Sequence, residues 1–224
     1  MASYPYALDL FTVKFKFDTD KMIRLNTPMK KETYHHGDLR PALIKAAETV
    51  LETKGLEGFS LRAVAREVGV SHAAPAHHFK DTTGLLMALA EDGFHRFTEM
   101  MEAEQDQAEP DAKSRLVASA HGYVAFAQAH PALFRLMFSS QRLKTEDGEI
   151  DKIGGASFTH LVRAVAAHEE GDAEAQPDMA GVIAAWSMVH GFAELLISGR
   201  MLPVQRMPED QRKAFFYSVF RRLV

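Results

Sequence analysis

The chain has 224 residues, of which 46% are hydrophobic and 25% are charged, a composition typical of a soluble globular protein that can bury a substantial core. The absence of cysteine excludes a disulfide framework and a thiolate metal site. The formal net charge of −4 gives no general attraction to nucleic acid. The charge is unevenly distributed, however. Residues 29–81 carry eight Lys and Arg against seven Asp and Glu, whereas residues 82–224 carry fourteen Lys and Arg against twenty Asp and Glu.

Residues 1–28 differ from the rest of the chain. Phe11–Phe17 alternate apolar and polar side chains like a strand, and a single strand is only marginally stable. Asp9 interrupts the apolar run and no basic segment precedes it, so this is not a signal peptide. Two interpretations remain: a start-site artefact with Met29 as the true first residue, or an arm that pairs with its copy in a dimer. We treat residues 1–33 as an N-terminal extension.

After Asp38 the sequence predicts an all-α fold of about nine helices, because apolar residues recur at helical spacing and prolines separate the segments. The predicted helices span about 39–54, 61–68, 72–79, 82–105, 112–129, 131–139, 149–170, 177–199 and 208–223. Residues 34–81 form an N-terminal three-helix domain, and residues 82–224 form a larger C-terminal helical domain. No apolar stretch approaches the ~20 residues that span a bilayer, so we expect no membrane partner and a cytoplasmic location.

The segment 60–81 predicts two short helices joined by a glycine turn, a helix-turn-helix. Ser60 and Ser71 are predicted to cap the two helices, and Gly69 to take the positive φ of the turn. The second helix would present its exposed face to the major groove of DNA, flanked by cations that hold phosphates. The predicted DNA-binding residues are Arg62, Ser71, His72, Ala73, Ala76, His77 and Lys80, whereas His78 and Phe79 are expected to fix the helix.

This part of the chain resembles the DNA-binding domain of TetR-type regulators. The resemblance rests on the segments Tyr34–Arg40, Ala46–Gly55, Phe59–Ser71 and His78–Asp81. Farther along, Trp186–Gly191 resembles the Trp-x-x-x-His-Gly signature of one C-terminal subclass. The resemblance implies a two-fold dimer, an inverted-repeat operator and a small-molecule effector in the C-terminal domain. It also implies a repressor that the effector releases from DNA.

Three residues depart from the family pattern. Ala76 stands where family members usually carry a tyrosine, and Thr82 stands in place of a lysine that contacts phosphate. Pro75 is predicted at about the fourth position of the recognition helix, where it would remove one backbone hydrogen bond. The helix would then either start later or have a loose first turn. We therefore expect operator binding that is weaker or more salt-sensitive than in a typical member.

The C-terminal helices are rich in Phe, Met and Ala, which predicts either a plain helical core or an adaptable apolar pocket. His190 and Glu194 lie one turn apart, a spacing that allows a hydrogen bond. The predicted effector-binding residues are Phe97, Met101, His121, Tyr123, Phe126, Phe138, Trp186 and His190.

The last two helices are predicted to form a homodimer interface of four helices. The final helix carries a broad apolar stripe, which we interpret as more than its own domain requires. The stripe comprises Phe215, Phe216, Val219, Phe220 and Leu223.

Two other classes of protein were considered. An enzyme is disfavoured, because the sequence contains no His-Glu-x-x-His pair, phosphate loop, nucleophile elbow or dinucleotide-binding fingerprint. We accordingly predict no catalytic residue, no metal site and no cofactor. The alternative function is a helical hydrophobe-binding protein that has lost specific DNA binding, and Pro75, Ala76 and Thr82 are its best support.

Overall fold

The computed structural model describes residues 39–139, 149–169, 171–174 and 178–222, and over these the only regular secondary structure is α-helix, as predicted. The extension and its Phe11–Phe17 segment lie outside the described residues. Ten helices are present there: α1 (Leu39–Lys54), α2 (Leu61–Val68), α3 (Ala74–Phe79), α4 (Thr82–Asp106), α5 (Ala112–Ala129), α6 (Pro131–Met137), α7 (Glu149–Glu169), α8 (Met179–Ile197), α9 (Leu202–Gln205) and α10 (Glu209–Phe220).

Two of these helices differ from prediction. The third helix begins at Ala74 rather than just after Ser71, and the short α9 was not predicted. Pro203 occupies the second position of α9, where a helix uses no backbone N–H, so proline starts this helix rather than ending one.

Helix α4 is the central element, since α5, α6 and α7 all pack against it and the core runs along its length. Gly122 of α5 allows the closest of these approaches. A Cβ at that position would lie 2.7 Å from the carbonyl oxygen of Met100 on α4. Gly93 of α4 does the same for α6, because a Cβ there would lie 2.8 Å from the sulfur of Met137. Both contacts are too short for any larger residue without rearrangement.

One continuous core joins the N-terminal helices to the C-terminal helices. Val50 and Leu51 of α1, Phe97 of α4 and Phe220 of α10 all belong to it, and each is almost fully buried. A smaller apolar cluster around Val165 and Val182 holds α7 against α8. The DNA-reading helices and the C-terminal bundle are therefore parts of one packed body.

The prediction that no segment is long and apolar enough to span a bilayer was wrong for α8. Met179–Ile197 passes that test by length and composition. In the structure its buried side, including Val182, Val189 and Phe192, packs inside the protein. Such a helix is as typical of a soluble protein's core as of a membrane.

Candidate DNA-binding and effector sites

The turn between α2 and α3 has the predicted geometry. Gly69 ends α2 with φ of 78°, and its N–H donates to the carbonyl of Ala65 at 3.0 Å. This left-handed conformation favours glycine, so one residue sets the direction in which the chain enters α3. Ser60 begins α2 as predicted, because its hydroxyl accepts the N–H of Ala63 at 3.2 Å.

The start of the recognition helix α3 is a correction. Ser71 does not cap it; instead the carbonyl of Ser71 accepts the N–H of Ala74 at 3.0 Å in a turn, and α3 begins there. Pro75 is thus the second residue of the helix rather than the fourth, and its ring is buried. At that position a proline costs no intrahelical hydrogen bond, so α3 starts later instead of losing a bond.

The junction between α3 and α4 is unusually tight. Lys80 has φ of 68° and ψ of −59°, and the Asp81 N–H donates to the Phe79 carbonyl at 2.7 Å, which makes a γ-turn of the rare positive-φ kind. Asp81 then caps α4 by accepting the Gly84 N–H at 2.8 Å, as predicted. A Cβ on Gly84 would lie 2.1 Å from the Phe79 oxygen. The orientation of the recognition helix α3 relative to α4 is therefore tightly constrained.

All seven predicted DNA-binding residues are exposed to solvent. They are Arg62 on α2, Ser71, His72 and Ala73 in the turn before α3, Ala76 and His77 on α3, and Lys80 at the junction. Phe79 is buried and lies under the guanidinium of Arg40, 5.3 Å from the ring centroid, so it anchors the helix as expected. His78 is exposed, and the expectation that it also fixes the helix was wrong.

The predicted effector residues lie mostly in one aromatic cluster formed by α4, α5, α6 and α8. Phe97 is its centre, with ring centroids of Tyr123 at 4.7 Å, Phe126 at 5.3 Å and Phe138 at 6.1 Å. Phe134 of α6 is fully buried among them and was not predicted. These are contact distances, so the side chains themselves fill the space that an effector would occupy.

Three polar groups face this cluster from one side. The hydroxyl of Tyr123 lies 2.8 Å from Nδ1 of His190, and the ring of Trp186 meets the His190 ring edge-on. Burial raises the pKa of Tyr123, and it lowers the pKa of His190 against the opposing effect of Glu194. At neutral pH both side chains are thus held uncharged, as befits an apolar site.

Two predicted roles in this region were wrong. Glu194 does not pair with His190; its carboxylate lies 3.5 Å from Nε of Arg135 on α6. His121 lies away from the cluster, because it is two residues from Tyr123 on the same helix and so points in another direction. Its ring stacks on Tyr217 of α10, and its Nδ1 is 3.0 Å from a Glu104 oxygen without hydrogen-bonding alignment.

A charged network that was not predicted joins α1 to the C-terminal bundle. Glu48 accepts two hydrogen bonds from the Arg96 guanidinium, at 2.7 and 3.0 Å, and lies 2.7 Å from Nδ1 of His130. Burial opposes the ionised form of Glu48, but Arg96 and then His130 hold its pKa below the ordinary value. Sequence periodicity carries no signal for this network, because Glu48, Arg96 and His130 lie 34 to 82 residues apart in sequence.

The predicted dimer surface needs a correction in its reasoning. Phe216 and Phe220 of α10 are buried in their own chain, where both rings pack edge-on against Phe192. Leu223 lies outside the described residues. The exposed apolar side chains lie instead on α8 and at the start of α9: Met179, Ile183, Met188, Leu195 and Leu202.

Among the described residues, no three His, Asp or Glu side chains are grouped so that they could hold a metal ion. His160 and Ser119 do form a buried polar contact between α7 and α5, with Nε2 3.2 Å from the hydroxyl. Burial lowers the pKa of His160, and Arg115 and Arg163 add to the effect.

Comparison with known families gives two matches. Residues 43–89 match the model of bacterial regulatory proteins of the tetR family, and residues 116–223 match a tetracyclin repressor-like C-terminal domain. Together these matches span more than two thirds of the chain. No curated protein matches it.

Solved structures agree with this assignment. A protein of unknown function from Rhodococcus sp. RHA1 is 38% identical with a TM-score of 0.69, over 86% of this chain and 98% of that one. A TetR family transcription regulator from Marinobacter aquaeolei VT8 shares 14% identity and a TM-score of 0.60, over 83% and 94%. A transcriptional regulator FadR from Bacillus subtilis, in complex with stearoyl-CoA, shares 19% and 0.62, over 82% and 97%. The last two show the same fold.

Proposed function

Since the chain belongs to the TetR family and is a transcriptional regulator, we propose that it is a homodimeric, cytoplasmic repressor released from an inverted-repeat operator by an apolar effector. The observation that carries the DNA-reading part is the helix-turn-helix itself. A left-handed Gly69 sets the turn, a buried Phe79 anchors the second helix, and the predicted contact residues are all exposed. The dimer would place two α3 helices in successive major grooves, about 34–36 Å apart.

For dimerisation we propose the exposed apolar face of α8 as the main contact. Ile183 and Leu195 are 45% and 47% exposed, on a helix that carries a single acidic residue after its start. Gly191 lies between them in sequence, and a Cβ there would meet nothing within 4 Å in its own chain. A small residue at this position lets a second α8 approach closely. We further propose that the chain belongs to the Trp-x-x-x-His-Gly subclass, with Gly191 as its glycine and with His190, which contacts Tyr123, as its histidine.

For the effector we propose the aromatic cluster around Phe97. Its wall is apolar, and its polar groups are the Tyr123 hydroxyl and the His190 and Trp186 rings, which suit a hydrophobic molecule with one hydrogen-bonding group. The stearoyl-CoA complex of the Bacillus subtilis regulator, on the same fold, supports an apolar ligand. Because the rings are in contact, the effector must displace side chains of α6 as it enters.

The DNA-binding proposal is tested by selecting genomic fragments with purified protein, followed by a shift assay on the recovered DNA at two salt concentrations. Enrichment of one inverted-repeat site is expected, with weaker binding at the higher salt. An intact dimer that enriches no site would contradict it. That outcome, with a fatty or aromatic molecule copurified, would favour a hydrophobe-binding protein without DNA function.

The dimer and effector are tested separately. Light scattering at micromolar concentration should give a dimer for the wild type and a monomer for Leu195→Glu. Thr83→Glu, at an exposed position in the first turn of α4, is the control outside the predicted interface helices. Trp186 is the sole tryptophan of the chain, so its emission reports directly on the cluster. A ligand of the proposed site changes that emission, and one that binds without changing it binds elsewhere.

A further inference from the structure

Helix α6 is capped by a residue of another helix. Proline at its first position has no N–H, so Ala132 and Leu133 provide its first free donors. His130, the residue before the helix, makes no side-chain cap. Both free N–H groups donate instead to the same oxygen of Glu52, on α1, at 3.0 and 3.2 Å. An acidic side chain at a helix N-terminus is also favoured by the helix dipole.

A second contact between α1 and the start of α6 lies one turn away along α1. Glu48 holds His130 and Arg96 together, and Asp92 accepts a further hydrogen bond from Arg96 at 3.1 Å. The two carboxylates of α1 thus hold the corner where α5 turns into α6. Thr49 and Thr53, also on α1, bond only to carbonyls of their own helix.

The other end of α6 enters the proposed effector site. Phe134 and Phe138 touch the His190 ring, with centroid distances of 5.3 and 4.8 Å. Phe138 is about 9 Å from the Glu52 contact along the helix, at 1.5 Å per residue. A helix of seven residues moves as one unit. A ligand that shifts its backbone at Phe138 therefore also shifts the two N–H groups that bond to Glu52.

We infer that Glu52 is the residue through which effector occupancy reaches the DNA reader. It lies outside the predicted DNA-contact residues and the aromatic cluster, and it fixes α6 to α1. Helix α1 belongs to the N-terminal domain and packs against α2 and α3, with Val50 and Leu51 in the shared core. Glu48 supports the same link. When an effector displaces α6, the Glu52 contact either breaks or draws α1 with it, and the spacing of the two recognition helices changes. The inference rests on the proposed function, since it concerns how that site is regulated.

The test uses a change inside the cluster in place of the unidentified effector. Phe138→Trp enlarges a half-buried ring at the end of α6, and His190→Phe removes the Tyr123 contact as a second, independent change. Each is combined with Glu52→Ala, with Glu52→Gln, which keeps an acceptor oxygen, and with Glu57→Ala, an exposed control in the loop after α1. Operator affinity is measured for every combination, with the duplex recovered by genomic selection, after thermal melting confirms folding.

Phe138→Trp is expected to weaken operator binding about tenfold in the wild type and in Glu57→Ala, within the range typical of coupled sites. In Glu52→Ala the same change should alter affinity by no more than about twofold, the limit of additivity for independent sites. Glu52→Gln should restore the larger response. An equal loss with Glu52→Ala would overturn the inference, because the signal would then pass through α4, which α6 touches at Gly93. Unchanged affinity after both Phe138→Trp and His190→Phe would overturn it as well.

A second readout separates this inference from the DNA-binding proposal. If no operator is found, hydrogen exchange over residues 61–79 is measured on the same variants. Faster exchange in Phe138→Trp that disappears with Glu52→Ala supports the link even though the proposed DNA function fails. Exchange that responds equally in both backgrounds overturns it.

Discussion

Substitution of Gly84 by alanine should damage DNA binding more than folding. The new Cβ would lie 2.1 Å from the Phe79 carbonyl oxygen, whereas real Cβ contacts essentially never fall under 3.0 Å. That oxygen must move by roughly 1 Å, and it belongs to the last residue of the recognition helix. The γ-turn at Lys80 leaves no spare residue to absorb the shift, so α3 moves as a whole.

The expected magnitudes follow from two opposing effects. Overpacking against backbone costs about 1–3 kcal/mol, and replacing a helical glycine by alanine returns at most about 1 kcal/mol. With the full return, the net loss is about 0–2 kcal/mol, a fall in Tm of at most roughly 8 °C for a chain of this size. Loss of even one base contact costs about 1–3 kcal/mol of binding free energy per half-site. Operator affinity should therefore fall tenfold or more, which corresponds to roughly 1.4 kcal/mol or more of binding free energy.

Fluorescence anisotropy with a labelled operator duplex measures the affinity, and thermal melting measures the stability. Thr83→Ala is the matched control, because Thr83 is exposed in the same turn of α4. The control should bind operator like the wild type. A Gly84→Ala protein with wild-type affinity and a raised Tm would refute the reasoning, since the close approach to Phe79 would then impose no constraint on the recognition helix.

Three further predictions concern the core, the DNA contacts and pH. Phe134 is fully buried among aromatic rings, so Phe134→Ala should lower the free energy of unfolding by about 3–5 kcal/mol, as measured by urea titration. A loss below about 1.5 kcal/mol would contradict the close packing of Phe134 in the core. Lys80→Ala should reduce the slope of log affinity against log salt by about 0.9 per phosphate contact without changing which sequence is preferred, and an unchanged slope would remove Lys80 from the interface. Burial lowers the pKa of His160 and His190 below the ordinary 6.5, so the unfolded chain binds more protons than the folded chain as pH falls below 6.5. The stability that these two histidines contribute is therefore complete above pH 6.5 and is lost on acidification. The His160→Gln variant should show a weaker dependence of Tm on pH in thermal melts between pH 7 and 5.

Helix positions and the DNA-reading turn could be predicted from the sequence because their causes are local. Ser60, Gly69 and Asp81 act within four residues of themselves, through a cap, a positive φ and a second cap. The third helix was predicted two residues too early for the same kind of reason. Either Ser71 or Ala73 could be the N-cap residue. Because proline is favoured in the first turn of a helix, Pro75 favours Ala73 as the N-cap.

Side-chain partners could not be predicted, because they join residues far apart in sequence. Composition suggested both His121 and Tyr123 as pocket residues, yet they lie on different faces of α5, toward α10 and α6 respectively. The apolar stripe of α10 was interpreted as an interface until the fold buried Phe216 and Phe220 against Phe192, leaving α8 with the exposed apolar face.

The sequence by itself therefore determined the family, through its motifs, and the order of the longer helices, through local backbone preferences. It also identified the exposed residues between 71 and 80 that are proposed to contact DNA. Only the tertiary structure decided that Glu52 caps α6, across 80 residues of sequence, and that Glu48, Arg96 and His130 meet. The sequence around a carboxylate on a helix surface does not identify the group with which it will form a hydrogen bond or an ion pair. Which N–H or cation it meets depends on how the helices pack, and that packing follows from the summed burial of the whole core.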